Sequence, residues 1–254
     1  LDAAEFDADR AAVLQAARAG GVGGFLVPAV GASNFDAVAA LSAAHPDVAH
    51  AFGIHPMYVG QASESDLDVL RQRLAGGGAV AVGEIGLDGF VQDGSMPLQL
   101  RYFEAQLRLA KAFELPVVLH VRRAQDEILK LLRRIRPLGG IAHAFNGSVQ
   151  QAEAFIKLGF RLGFGGAMTY AGSRRIRQLA AELPLSAIVL ETDAPDIPPA
   201  WGAGQRNDPA NLPRFAEVLA GLRGMPLDEV IDATGANALA AVPGLQRLAG
   251  LRPV

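Results

Sequence analysis

Short, nearly unbroken apolar runs alternate along the chain with longer stretches in which apolar residues recur every three or four positions. Continuous apolar runs suit strands buried on both faces, whereas half-wet antiparallel strands alternate apolar with polar residues. The runs predict seven strands, at residues 24–30, 48–53, 79–83, 116–120, 140–143, 160–164 and 187–193. Between them the period turns helical. Leu100, Phe103, Leu107 and Ala110 form one buried stripe of a helix, and Ser148 with Gln151 offers a capping box for a later one. Repeated strand–helix units of this kind make a parallel sheet with helices outside it, and an open doubly wound sheet and a closed barrel both fit.

A helix predicted at residues 7–19 has no strand before it. One further strand upstream gives eight, the number in a TIM (β/α)8 barrel. The chain begins with Leu1 rather than methionine, so the expectation is an α/β TIM barrel whose N-terminal first strand is missing from this chain. No linker, low-complexity segment or longer repeat divides the 254 residues, half of them hydrophobic, and a single domain over 1–254 is expected.

Charge and composition narrow the function. With 23 basic and 26 acidic side chains, the net charge of −3 excludes a protein that coats nucleic acid through bulk basic charge. Any phosphate must be held locally. The chain has no cysteine, which excludes disulfides, thiolate metal sites and a cysteine nucleophile and permits a reducing, cytoplasmic location. Its longest uncharged stretch near the start, residues 19–35, is broken by five glycines and a proline and does not make a membrane-spanning helix. No secretory signal pattern is visible, no membrane partner is expected, and a monomer is compatible with the sequence.

The chemistry lies in what ends the runs. Glu84 follows residues 79–83, His120 and His143 end two further strands, and Asp193 closes another. In a barrel all carboxyl ends of strands face one mouth, so four side chains distant in sequence converge there. A lone polar residue at a strand end is ordinarily a satisfied structural group or a turn residue, but four on four strand ends each need a partner if buried. Two imidazoles and two carboxylates without a thiol suit a hydrolytic centre for Zn²⁺, Mn²⁺ or a similar cation. Glu191 lies two residues before Asp193, on the same side of the predicted strand, where it could orient a ligand imidazole; a buried ion pair explains it as well. His55, before Pro56 at a strand-to-loop exit, is a candidate for substrate contact, whereas His45 and His50 read as structural. Trp201, the only tryptophan, stands in a Pro/Gly loop where it could stack on a base.

Several of these segments resemble the TatD family of metal-dependent hydrolases. They are Ala81-Val82-Gly83-Glu84-Ile85-Gly86-Leu87-Asp88, Leu115-Pro116-Val117-Val118-Leu119-His120-Val121-Arg122, His143-Ala144-Phe145-Asn146-Gly147-Ser148 and Leu190-Glu191-Thr192-Asp193-Ala194-Pro195. Gly53-Ile54-His55-Pro56 and Gln205-Arg206-Asn207-Asp208-Pro209 are similar to two further family blocks. Arg122-Arg123, Thr169-Tyr170 and the continuation to Asp196 look most like the YjjV-type branch. The resemblance implies a TIM barrel with one or two divalent metals (Zn, Mg or Mn) and phosphodiesterase activity on DNA. It implies that Glu84 bridges the metals, that His120 and His143 complete one site, and that Asp193 belongs to the other and holds or deprotonates the attacking water. Arg122 and Arg206 are then candidates to clamp phosphate, with ordinary surface charge as the plain alternative.

One departure stands out. The family carries an H-x-H pair at the end of its first strand, just before a Leu/Phe-Asp dipeptide, and this chain opens with Leu1-Asp2. The expectation is that residues upstream supply the pair. Three readings stay open: an exonuclease-type deoxyribonuclease, a metal-dependent hydrolase of another ester or amide bond, and a noncatalytic metal-binding scaffold if the pair is truly absent.

Overall fold

The computed structural model describes residues 1–91, 94–249 and 251 of the chain. The expected domain, 1–254, also includes positions 92–93, 250 and 252–254, which lie outside the described residues.

Seven strands are found among the described residues: β1 (Phe25–Pro28), β2 (Val48–Ala51), β3 (Val82–Asp88), β4 (Val117–Arg122), β5 (Gly140–Ala142), β6 (Phe160–Phe164) and β7 (Ile188–Leu190). Every pairing is parallel, β1 with β2 and β3 through β7 in chain order. A single bridge from Phe52 to Val82 joins the two groups, reinforced by the Glu84 N–H donating to the Ala29 carbonyl at 2.9 Å. The strands therefore follow one another around an arc. Among the described residues β7 and β1 do not pair, so the barrel is open along the seam where an eighth strand is expected. Residues before β1 form a 3-10 turn, Ala4–Phe6, and helix α1 (Arg10–Ala19), which starts three residues later than its pattern predicts.

Helices alternate with the strands: α2 (Phe35–Ala44), α3 (Glu64–Ala75), α4 (Met96–Ala112), α5 (Gln125–Ile135), α6 (Val149–Lys157), α7 (Arg174–Glu182), α8 (Leu212–Arg223) and α9 (Leu227–Ala241). The stripe on α4 is buried as expected at Phe103, Leu107 and Ala110. The capping box on α6 forms, with Ser148 and Gln151 exchanging hydrogen bonds of 3.0 and 3.1 Å.

Strand alternation sorts side chains into two apolar clusters and a polar layer. Val117, Leu119 and Val121 of β4 join the large core that packs helices onto the sheet. Val118, Ile141 and Val189 join a second cluster with Ala49, Ala51 and Val80, covered by Val242 and Leu245 after α9. Two residues further along the same face stand His120, His143 and Glu191. The apolar cluster is thus a floor, and the next layer towards the carboxyl ends is polar.

Two predicted strands need correction. Residues 79–83 are expected to be a strand with Glu84 after it, but β3 begins at Val82 and runs through Glu84 to Asp88. In the structure Gly86, at φ +154°, lets β3 approach β4, since a Cβ there would meet the His120 carbonyl oxygen at 2.0 Å. The strand expected at 187–193 ends at Leu190, because Asp193 adopts a left-handed φ of +56° before Pro195. Glu191 and Asp193 therefore do not share one side of a strand; both stand on its exit. Among the described residues no helix is long and apolar enough to cross a membrane.

Candidate metal centre

Glu84 is the hub of the polar layer. A single oxygen, Oε1, lies 2.8 Å from His143 Nε2, 3.1 Å from His120 Nδ1 and 3.1 Å from His55 Nε2. His143 Nε2 and His120 Nδ1 stand 3.4 Å apart. Asp193 joins from the other side, with its Oδ1 3.9 Å from His143 Nδ1, and ligand atoms of Glu84, His143 and Asp193 all lie within 4.8 Å of one another. Glu84 and His120 within their strands, and His143 and Asp193 on strand exits, thus come together, with His55 beside them.

Electrostatics explains what holds so many carboxylates together. Burial works to raise the Glu84 pKa, but the charge of His143 and hydrogen bonds from His120, His143 and His55 outweigh it and hold the carboxyl well below its usual range. Burial likewise disfavours charge on His143, yet Glu84, Glu191 and Asp193 raise its pKa well above that of a free imidazole. For Asp193 burial prevails, helped by the charges of Glu84, Glu191 and Asp196 against that of His143, and its pKa is pushed up to about 7. The cluster needs positive charge, which here comes from imidazolium protons.

A divalent cation fits the same role. Separations of 2.8–3.4 Å among the donor atoms match those that bonds of roughly 2.0–2.2 Å to one ion leave between neighbouring ligands. Nitrogen and carboxylate donors without sulfur suit Zn²⁺ or Mn²⁺. The outer nitrogens are also provided for. His120 Nε2 meets Asp88 Oδ2 at 3.0 Å, and His143 Nδ1 faces Glu191 Oε1 at 3.7 Å, the arrangement that fixes a ligand imidazole with its other nitrogen free for an ion.

His55 differs. Its Nδ1 accepts the Met57 N–H at 3.1 Å, so in the neutral ring the proton sits on Nε2 and points at Glu84. Distance alone groups His55 with Glu84 and His120 as a possible ligand set, but neither ring nitrogen of that tautomer offers a lone pair to an ion. His55 is therefore a donor to Glu84 rather than a ligand in this arrangement.

Asp88 is absent from the residues the sequence singles out for a role, although it stands in the quoted run. It is fully buried, and although burial opposes ionisation, hydrogen bonds from His120 and the Phe90 N–H hold its pKa at about 2. The signal was the strand register, since β3 places Asp88 beside Arg122 and Gly86 beside His120. Arg122 reaches the rim of the cluster, with Nη1 3.7 Å from Asp88 Oδ2. Arg206 does not join it. Its guanidinium pairs with Asp9 at 2.7 Å, donates to the Glu5 carbonyl and stacks over Phe6, so the expected phosphate clamp is instead a tie between the loop after β7 and the N-terminal segment.

Glu191 is locked in place by the Ala144 N–H and by Gly163. A Cβ at Gly163 would lie 2.0 Å from Glu191 Oε2. Gly163→Ala is therefore expected to cost roughly 1–3 kcal/mol of stability and, by turning Glu191 away from His143, roughly 10–100-fold in metal affinity. Calorimetric titration checks this against Gly172→Ala, where a Cβ meets nothing within 4 Å.

Known proteins are similar to this chain in sequence and in fold. The chain is 43% identical over 236 residues to YjjV of Escherichia coli, described as an uncharacterized metal-dependent hydrolase, covering 92% of this chain and 91% of that one. The crystal structure of that TatD homologue superposes with a TM-score of 0.91 at 40% identity, covering 95% of each chain. The 3'-5' ssDNA/RNA exonuclease TatD of Erwinia tasmaniensis is 32% identical over 247 residues, covering 94% of this chain and 95% of its own. A TatD-family hydrolase from Entamoeba histolytica, 19% identical with a TM-score of 0.80 over 92% of this chain and 89% of its own, shares the fold. With residues 1–242 matched by the model for TatD related DNase, the chain belongs to the TatD-related DNase family.

Proposed function

We propose that this chain is a metal-dependent phosphodiesterase that removes nucleotides from the ends of single-stranded DNA. It works as one domain, in a reducing compartment such as the cytoplasm. The observation that carries this reading is the convergence of His55, His120 and His143 on one oxygen of Glu84, with Asp193 at its edge. The exonuclease description of the Erwinia relative supports the choice of bond.

Glu84, His120 and His143 would hold one divalent ion, and Glu84 with Asp193 would border a second. Such an ion lowers the pKa of a coordinated water towards about 7 and offsets the charge growing on phosphoryl oxygens. The residues of the chain do the rest. Asp88 and Glu191 fix the two imidazoles, and His55 donates its Nε2–H towards a phosphate oxygen. Asp193 orients the attacking water and takes its proton. Arg122, half-exposed at the rim, faces the phosphate backbone.

The test is release of mononucleotides from end-labelled single-stranded DNA in Mg²⁺, Mn²⁺ or Zn²⁺. Ion-dependent release is expected. A metal-loaded protein that frees no nucleotide but cleaves a carboxylic ester or amide would move the site to another bond.

A further inference from the structure

Three aromatic side chains are exposed among the described residues, Phe90 at 47%, Tyr58 at 43% and Trp201 at 38%. All three stand on loops that follow the carboxyl ends of strands, after β3, β2 and β7 respectively. Phe90 differs from the others in its surroundings. The guanidinium carbons of Arg122 and Arg123 lie 4.1 and 4.8 Å from its ring centroid. The two guanidiniums lie over the ring, yet it stays half-exposed, so its open part and the arginines together offer an unpaired nucleotide a cation-backed stacking surface and a phosphate partner. Bases within a duplex are already stacked, so this surface suits a single strand.

The platform is also tied to the metal centre. The Phe90 N–H donates to Asp88 Oδ1 at 2.8 Å, while the other oxygen of that carboxylate meets His120 Nε2 at 3.0 Å and Arg122 Nη1 at 3.7 Å. One buried side chain thus sets an imidazole of the cluster, the backbone of the aromatic and one of its arginines relative to each other. Among the described residues, the contacts of the other two aromatics do not run through Asp88. Trp201 donates its Nε1–H to Asn211, lies under Arg214 at 3.9 Å and packs on Phe215. Tyr58 touches the cluster through His55, edge-on at 6.0 Å, but among the described residues no guanidinium lies over its ring.

We propose that Phe90, flanked by Arg122 and Arg123, is the surface on which a base of the single-stranded substrate stacks, held by Asp88 in register with the imidazole cluster. This rests on the nuclease reading above and adds a residue that selects substrates carrying an unpaired base. The ring supplies sequence-tolerant stacking, and the guanidiniums supply the phosphate contacts that a chain of net charge −3 lacks in bulk.

The experiment compares oligothymidylate with bis(p-nitrophenyl) phosphate, a diester without a base, using the full chain loaded with Mn²⁺. Phe90→Ala is expected to lower the ratio of kcat/KM on the oligonucleotide to that on the small diester by roughly tenfold or more. The change should lie in KM, and Phe90→Tyr should restore it. An abasic nucleotide moved along the substrate should cost the parent enzyme a similar factor at one position, and cost Phe90→Ala nothing further there. Without metal, anisotropy of a labelled oligothymidylate should show the double change Arg122→Gln and Arg123→Gln reducing the salt slope by about 1.4, near 0.7 per lost phosphate contact. An unchanged substrate ratio, or equal losses on both substrates, overturns the platform and leaves the nuclease reading standing. If the parent chain cleaves the small diester but not the oligonucleotide, the nuclease reading falls and the platform with it.

Discussion

Glu84→Gln is expected to abolish turnover, with kcat/KM on any phosphodiester falling at least about 10³-fold, the equivalent of several kcal/mol of lost transition-state stabilisation. The substitution is nearly isosteric, so the effect isolates charge. In the parent chain one oxygen of Glu84 receives three imidazoles, and its negative charge is the largest influence raising the pKa of His143. An amide oxygen still accepts a hydrogen bond but no longer offsets the charge of an imidazolium or of a divalent ion. His143 then reverts towards a neutral ring, and metal affinity drops together with activity. Because the imidazoles can discharge their protons, the metal-free fold survives, and far-UV circular dichroism should match the parent. His120→Ala should reach the same loss by removing a donor while leaving the carboxylate. Activity within tenfold of the parent for Glu84→Gln, in a preparation free of contaminating nucleases, would separate this cluster from the chemistry.

The parts of this centre that were legible in the sequence are those in which residue type and strand end coincide. His120 and His143 end near-continuous apolar runs, and a parallel sheet, open or closed, carries such distant residues to one edge. Glu84 and Asp193 are legible in the same way, although the strands beside them have other bounds than the apolar runs predict. The apolar run ends at Gly83, whereas the strand goes on through Glu84 and Gly86 to Asp88. Here Gly86 serves the close approach of two backbones, which depends on the partner strand and cannot be seen locally. The exit of β7 is not legible, since nothing in Leu190-Glu191-Thr192-Asp193 announces the left-handed turn that places Asp193.

Residues that act through a partner were harder to find. Asp88 was visible as a letter in a motif, but its role appears only when the β3–β4 register sets it against His120 and Arg122. Arg206 shows the converse. As a basic residue in a family block it reads as a phosphate clamp, while its true neighbours, Asp9 and Glu5, are about two hundred positions away and come near only because the chain end folds beside the loop after β7. Charge type can be read along the chain; which opposite charge it meets is a property of packing.

Asp193→Asn is expected to lose about 10²–10⁴-fold in kcat, as removal of a positioned general base does, and at the same time to make the metal-free protein more stable above neutral pH. The two effects share one cause. Burial, with the charges of Glu84, Glu191 and Asp196, pushes the Asp193 pKa up to about 7, whereas an unfolded aspartate titrates near about 3.9. Between roughly pH 4 and 7 the folded chain therefore binds more protons than the unfolded chain, and stability declines as pH rises through that window. Asparagine has no proton to lose and escapes the decline. Scanning calorimetry in chelator should show little difference between variant and parent near pH 4 and a higher Tm for the variant at pH 8, by about 2–4 °C for each kcal/mol recovered. Divalent ions compete for the same oxygen, so ion binding to the parent should tighten from pH 6 to 8 with release of a proton, and the variant should lose that part of the pH dependence. A variant that is less stable than its parent at pH 8 would mean that Asp193 is already ionised and satisfied in the fold, and could not serve as the poised base of this centre.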